Sequence, residues 1–157
     1  MSASQIGAQV ARACLNKICK HINILNLNFN IRHNCFYHSK AFDPKLVDEV
    51  YIGNVCQAGQ GQAPATQVTI FAGLPKETPA TTINKVCASG MKAIMMAAQS
   101  IQCGSQSVIL AGGMESMSNV PYYMARKEPA YGGVKLDDGI VLDGLTDVYN
   151  KIHMVKT

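Results

Sequence analysis

At 157 residues the chain has the length of one ordinary domain, and with 48% hydrophobic and 15% charged residues it is neither disordered nor fibrous. Its mean hydropathy is +0.06, and no apolar run approaches the ~20 residues a membrane span needs, so no transmembrane helix and no membrane partner is expected. The net charge of +4 is local: residues 1–42 hold five basic residues and no acidic one, the remainder nine basic and ten acidic, which excludes the spread basic face of a nucleic-acid binder.

In chain order, the spacing of Ile6, Val10, Ala13, Cys14 and Ile18 predicts an amphipathic helix over residues 4–18, that stripe facing inward and Ser2 or Ser4 capping it. The acid-free start is too poor in Ser and Arg for an organellar transit peptide. Residues 19–42 differ in kind: Asn, Ile, Phe and Lys dominate, and the alternation from Asn26 to Ile31 suggests a strand that no turn chemistry frames. Asp43-Pro44 opens a short helical turn, and Val50-Tyr51-Ile52 reads as a strand ending at Gly53. Gly59, Gly61 and Pro64 form a turn before a helix over about residues 65–72, stopped by Gly73 and Pro75. A β-prone run from Thr81 to Val86 leads straight into Cys87. Residues 91–103, apolar on most faces and free of Gly and Pro, predict a buried helix ending at Gly104, and residues 108–111 a buried strand ended by Gly112-Gly113. Strands and helices alternate across short connections, so the fold class is a layered α/β domain with a sheet at least partly parallel; beyond Val120 the chain leaves the sheet.

The segment Asn84-Lys85-Val86-Cys87-Ala88-Ser89-Gly90 delivers a cysteine from a strand to the first turn of a helix. Free amides and the positive end of the helix dipole stabilise a thiolate there, with Lys85 or Lys92 adding to the effect, and the same amides can hold an acyl oxyanion. Spacing alone equally allows a small apolar cysteine packed into a strand–helix corner. The other five cysteines, at 14, 19, 35, 56 and 103, are irregularly spaced and fit a reducing compartment. Cys14, Cys19, His33 and His38 approach zinc-finger spacing, but the compact core pattern that accompanies it is missing and Cys14 falls on the apolar stripe of the first helix, so a zinc-binding module is a minor alternative and no metal ligand is expected. Gly59-Gln60-Gly61 begins like a dinucleotide fingerprint and fails at Pro64. Glu115 is expected to bond nearby backbone rather than act in catalysis, and His153 is open between a solvated loop and a ligand pocket.

Three further runs carry a resemblance: Gly53-Asn54-Val55 with Gly59-Gln60-Gly61-Gln62-Ala63-Pro64, Thr82 through Ala93, and Ala111 through Ser118, completed by Asp143-Gly144-Leu145-Thr146-Asp147 through His153-Met154. Over 43–154 the chain resembles the thiolases, and among them the acetyl-CoA acetyltransferases of mitochondrial type. The resemblance implies the layered thiolase fold and Cys87 as acyl-accepting nucleophile, its own N–H contributing to an oxyanion hole. It also implies a pantetheine channel lined by Leu145, His153 and Met154. The implied reaction joins two acetyl-CoA into acetoacetyl-CoA and CoA, or reverses by thiolysis, with no cofactor beyond the coenzyme A thioester substrates. A homo-oligomer or association with a full-length thiolase, and a mitochondrial location with a cytoplasmic alternative, follow from the same resemblance.

Against that pattern, residues 1–18 match the first helix and 19–42 read as an insertion with A/T-rich codons, as retained intron sequence would have. Residues 43–120 match the N-terminal core and 121–157 the start of the loop domain. The family's activating histidine and second cysteine belong to a half expected to be missing. An inactive fragment or interaction subunit is therefore the alternative reading, and such a chain is expected to expose apolar surface.

Overall fold

In the computed structural model, residues 1–21, 42–126 and 131–156 are described. The chain begins with α1 (Ala3–His21), followed after a short 3-10 turn at Pro44–Leu46 by β1 (Glu49–Gly53), α2 (Pro64–Ala72), β2 (Ala80–Ile83), α3 (Ser89–Gln102) and β3 (Ile109–Gly113). The strands form one parallel sheet in the order β2-β1-β3, with Tyr51 opposite Thr81 on one side and Ala111 on the other. The layered α/β expectation holds.

Strand alternation divides the core. Val50 and Ile52 of β1 point to the face covered by α1 and α2, where they meet Ala8, Ala11, Val68 and Met114. Tyr51 points the other way, to Ala93 and Ala97 of α3. A central parallel strand is covered on both faces, which is why Val50-Tyr51-Ile52 is an uninterrupted apolar run.

Ser2 caps α1: its Oγ accepts from Gln5 N at 3.3 Å while Gln5 Oε1 accepts from Ser2 N at 3.0 Å, a reciprocal capping box. The inward face of α1, however, is Ala3, Ser4, Ala8, Ala11 and Leu15. Ile6, Val10, Ala13 and Cys14 lie outward, and the side chain of Ile18 is outside the described residues. Close approach is the cause around Gly7: a Cβ there would lie 2.9 Å from Met114 Sδ and 3.0 Å from Val68 Cγ2, so at that point α1 meets α2 and Met114 through its smallest residues. The same rule corrects α3, whose buried residues are Ser89, Ala93 and Ala97, while Met91, Ile94 and Met95 are exposed. The sheet covers one side of α3, and no other described element covers the rest. The strand before Cys87 also ends early, at Ile83.

Beyond β3 come a 3-10 turn at Met117–Asn119, then β4 (Tyr122–Tyr123) paired antiparallel with β5 (Asp137–Asp138), a π turn at Val141–Leu145 and a final 3-10 turn at Met154–Lys156. The strand alternation expected over 26–31 lies outside the described residues. No described helix is long and apolar enough to cross a membrane.

Candidate active site

Between β2 and α3 the chain makes a turn in which Val86 takes φ +50°, a left-handed conformation that costs a β-branched residue on the order of 1–3 kcal/mol. Side chains on both sides hold it there. Asn84 Oδ1 accepts from Val86 N at 3.0 Å, and the buried Ser89 hydroxyl accepts from Lys85 N at 2.8 Å while donating to Val86 O at 2.6 Å. Cys87 is the next residue, exposed, two positions before the first helical residue of α3. Among the described residues no hydrogen bond is made by the backbone N–H of Gly90 or Met91, the second and third positions of that helix. Cys87 is therefore a reachable sulfur beside an open helix start, not a packed corner residue.

Three glycines set that helix start against the sheet. A Cβ on Gly53, at the end of β1, would lie 2.4–2.7 Å from the backbone of Ser89 and Gly90, and one on Gly113 would lie 3.1 Å from Gly90 Cα. The carboxyl ends of β1 and β3 thus press directly on the first turn of α3. Ligands of open parallel sheets are bound at such strand ends.

A cavity of about 410 Å³ opens there, with Cys87, Cys56, Glu115, Ile140, Gly144 and Leu145 among its lining. Glu115 behaves as expected from the sequence. Its Oε1 accepts from Asn54 Nδ2 at 2.9 Å and Cys56 N at 3.2 Å, and its Oε2 from Val55 N at 2.9 Å, so it ties the loop after β1 to the end of β3. Burial pushes the Cys56 thiol up from its ordinary value, and Glu115, Asp143 and Asp138 add to the effect, so Cys56 is a protonated wall residue.

Of the four residues singled out beforehand, Cys87 and Leu145 share this cavity, Leu145 at the end of the π turn. His153 and Met154 do not line it. His153 bridges to Thr146, directly after Leu145, and its Nδ1 accepts from Val155 N at 3.2 Å. The bend between them is held by Asp147, whose carboxylate accepts from Tyr149 N, Asn150 N and Asn150 Nδ2. One short loop thus carries Leu145, His153 and Met154. Of the zinc quartet, Cys14 is exposed on α1, while the side chains of Cys19, His33 and His38 lie outside the described residues. Among the described residues no group of three or more metal-ligating side chains converges. Sequence reasoning missed Cys56, the clamp made by Ser89 and the pairing of Tyr123 with Asp143; only the serine near a helix start carried a readable signal.

Residues 4–157 match the thiolase N-terminal domain family. The chain is 72% identical over 116 residues to the mitochondrial acetyl-CoA acetyltransferase of Mus musculus, covering 73% of this chain and 27% of that protein. It is 71% identical over 116 residues to the mitochondrial acetyl-CoA acetyltransferase of Homo sapiens, with the same coverage. Among solved structures, the Acat5 thiolase from Ascaris suum in complex with coenzyme A superposes with a TM-score of 0.79 at 36% identity, over 98% of this chain and 35% of that one. The chain spans about a quarter of the length of the curated relatives it matches. Its parallel sheet, its cysteine at a helix start and these likenesses agree: the chain belongs to the thiolase N-terminal domain family.

Proposed function

We propose that this chain carries the acyl-accepting site of a thiolase-type acetyl-CoA C-acetyltransferase, with Cys87 as nucleophile. The Cys87 sulfur attacks the thioester carbonyl of acetyl-CoA; a carbon–sulfur bond forms, the carbonyl oxygen takes the electron pair, and collapse expels coenzyme A as its thiolate. Amides at the start of α3, the Cys87 N–H among them, stabilise the transient oxyanion. In the complete reaction a second acetyl-CoA gives its methyl proton to a base of the complete enzyme and attacks the acetyl-enzyme carbonyl through that carbon; a carbon–carbon bond forms, the carbon–sulfur bond to Cys87 breaks, the sulfur leaves as thiolate, and the product is acetoacetyl-CoA. The loop bearing Leu145, His153 and Met154 receives the pantetheine arm, and no cofactor takes part beyond the coenzyme A thioesters. We assign residues 1–18 to the first helix of the domain, 19–42 to an insertion, 43–120 to its core and 121–157 to the beginning of the loop domain. A mitochondrial location and assembly with a second copy or a full-length thiolase complete the reading.

The observation that carries it is the exposed sulfur of Cys87, held beside the open start of α3 and on the wall of a cavity large enough for a thioester. Incubating the chain with acetyl-CoA and weighing the intact protein tests it. One added acetyl group, lost in Cys87→Ser, is the expected result. The exposed apolar face of α3 favours the second reading, an inactive subunit that serves by association; an unmodified chain that co-sediments with a full-length thiolase would establish it.

A further inference from the structure

The Cys87 cavity is closed on one side by the π turn at Val141–Leu145. A π turn is wide and intrinsically unfavourable, so its persistence calls for identifiable supports. Its entry is fixed by Asp138, whose Oδ1 accepts from Ile140 N at 2.9 Å, and its exit by Thr146, whose hydroxyl donates to Val141 O at 2.7 Å. Its middle is held from another strand: the Tyr123 hydroxyl donates to Asp143 Oδ2 at 2.5 Å. The Tyr123 ring lies directly over Gly139, where an added Cβ would be 2.8 Å from Cζ, so the tyrosine spans from β4 across the chain's re-entry to the turn. On the cavity side, a Cβ on Gly144 would stand 3.8 Å from Cys56 Sγ, and Ile140 and Leu145 complete that wall.

We propose that Tyr123 is a positioning residue for the coenzyme A channel: through Asp143 it fixes the π turn in the register that sets Leu145 against the cavity of Cys87. The inference rests on the reading of that cavity as a thioester site, and goes beyond it in assigning a residue that touches neither ligand nor nucleophile. A hydrogen bond to an ionised carboxylate is about twice as strong as a neutral one and directional, so it holds one arrangement of the turn against the alternatives. The exposed surroundings of the turn supply little packing to replace it, since Leu142 is itself exposed.

Tyr123→Phe removes the hydroxyl and leaves the ring on Gly139. The measurement is protection of Cys87 in the full chain from iodoacetamide by free coenzyme A, read by mass spectrometry as the concentration giving half-protection. We expect Tyr123→Phe to raise that concentration about tenfold, the equivalent of one charge-assisted hydrogen bond, with the alkylation rate in the absence of coenzyme A unchanged. Asp143→Asn, which keeps an acceptor oxygen, should fall between the two. Equal half-protection in wild type and Tyr123→Phe would overturn the proposal, as would a parallel change in the coenzyme-free alkylation rate, which marks a general loosening. If coenzyme A fails to protect the wild-type chain at all, the thioester reading itself is wrong and this inference falls with it.

Discussion

At the end of β3 one carboxylate holds together what the sequence keeps apart by some 60 positions: Glu115 accepts from Asn54 Nδ2, Val55 N and Cys56 N. Glu115→Ala removes the acceptor of the Val55 and Cys56 amides and leaves Asn54 Nδ2 with Met114 O alone, and the expected loss is about 1–3 kcal/mol, read as a lower Tm; Glu115→Gln, retaining one oxygen, loses less. Two other side chains give pH signatures of opposite sign. Hydrogen bonding to Asp143 pushes Tyr123 up to about 12 from 10.0. Its raised value means that the stabilisation is complete below the ordinary phenol value and lost as pH rises through about 12. Ring NMR should show Tyr123 titrating at about 12, and lower in Asp143→Asn. For Asp147, the Tyr149 backbone bond first and the Asn150 side chain second hold the carboxyl below its ordinary 3.8. Its contribution is present above that value and disappears as pH falls through the lowered one. The protection factors of the Tyr149 and Asn150 amides, each observed rate compared with the intrinsic rate at the same pH, should therefore fall on acidification, and be low already at neutral pH in Asp147→Ala.

For the elements, the decisive contacts are made by residues with little or no side chain. Gly53→Ala would drive a methyl group to within 2.4–2.7 Å of the Ser89 and Gly90 backbone. The expected cost is about 1–3 kcal/mol of overpacking, together with slower acetylation of Cys87 because the start of α3 is displaced; stopped-time mass spectrometry would detect it. This also explains what was legible in the sequence. Strand and helix order, Gly73 at the end of α2 and Cys87 at a helix start follow from periodicity and punctuation, which are local properties. The inward faces of α1 and α3 do not, because hydrophobicity ranks Ile6, Val10 and Met91 above the alanines that fit the narrow gaps. Nor does the break at Ile83: Thr and Val continue the β-prone pattern, and the turn is set by local bonds of the Asn84 and Ser89 side chains to the backbone of Lys85 and Val86, which hydrophobic periodicity does not report. Leu145 was reachable through resemblance alone, since nothing in Asp143-Gly144-Leu145 announces a π turn.

For the whole molecule, the outer faces of α1 and α3 expose Val10, Met91, Ile94 and Met95, from 49% to 67% of their surface. The two faces lie on opposite sides of the sheet, and the apolar residues that α3 presents to solvent, Met91, Ile94 and Met95, favour association. Sedimentation should show the chain self-associating with concentration, and Ile94→Lys, at an already exposed position, should reduce that without lowering Tm. The proposed chemistry rests on something narrower, the siting of one of six cysteines. Cys14 and Cys103 are exposed like Cys87 but lie within a helix and at a helix end, away from any helix start, and so act as internal controls. The most direct measurement is peptide-resolved acetylation of all six after exposure to acetyl-CoA under non-denaturing conditions. Acetyl groups confined to Cys87 are the predicted result; an even distribution over Cys14, Cys87 and Cys103, set by exposure alone, would contradict it.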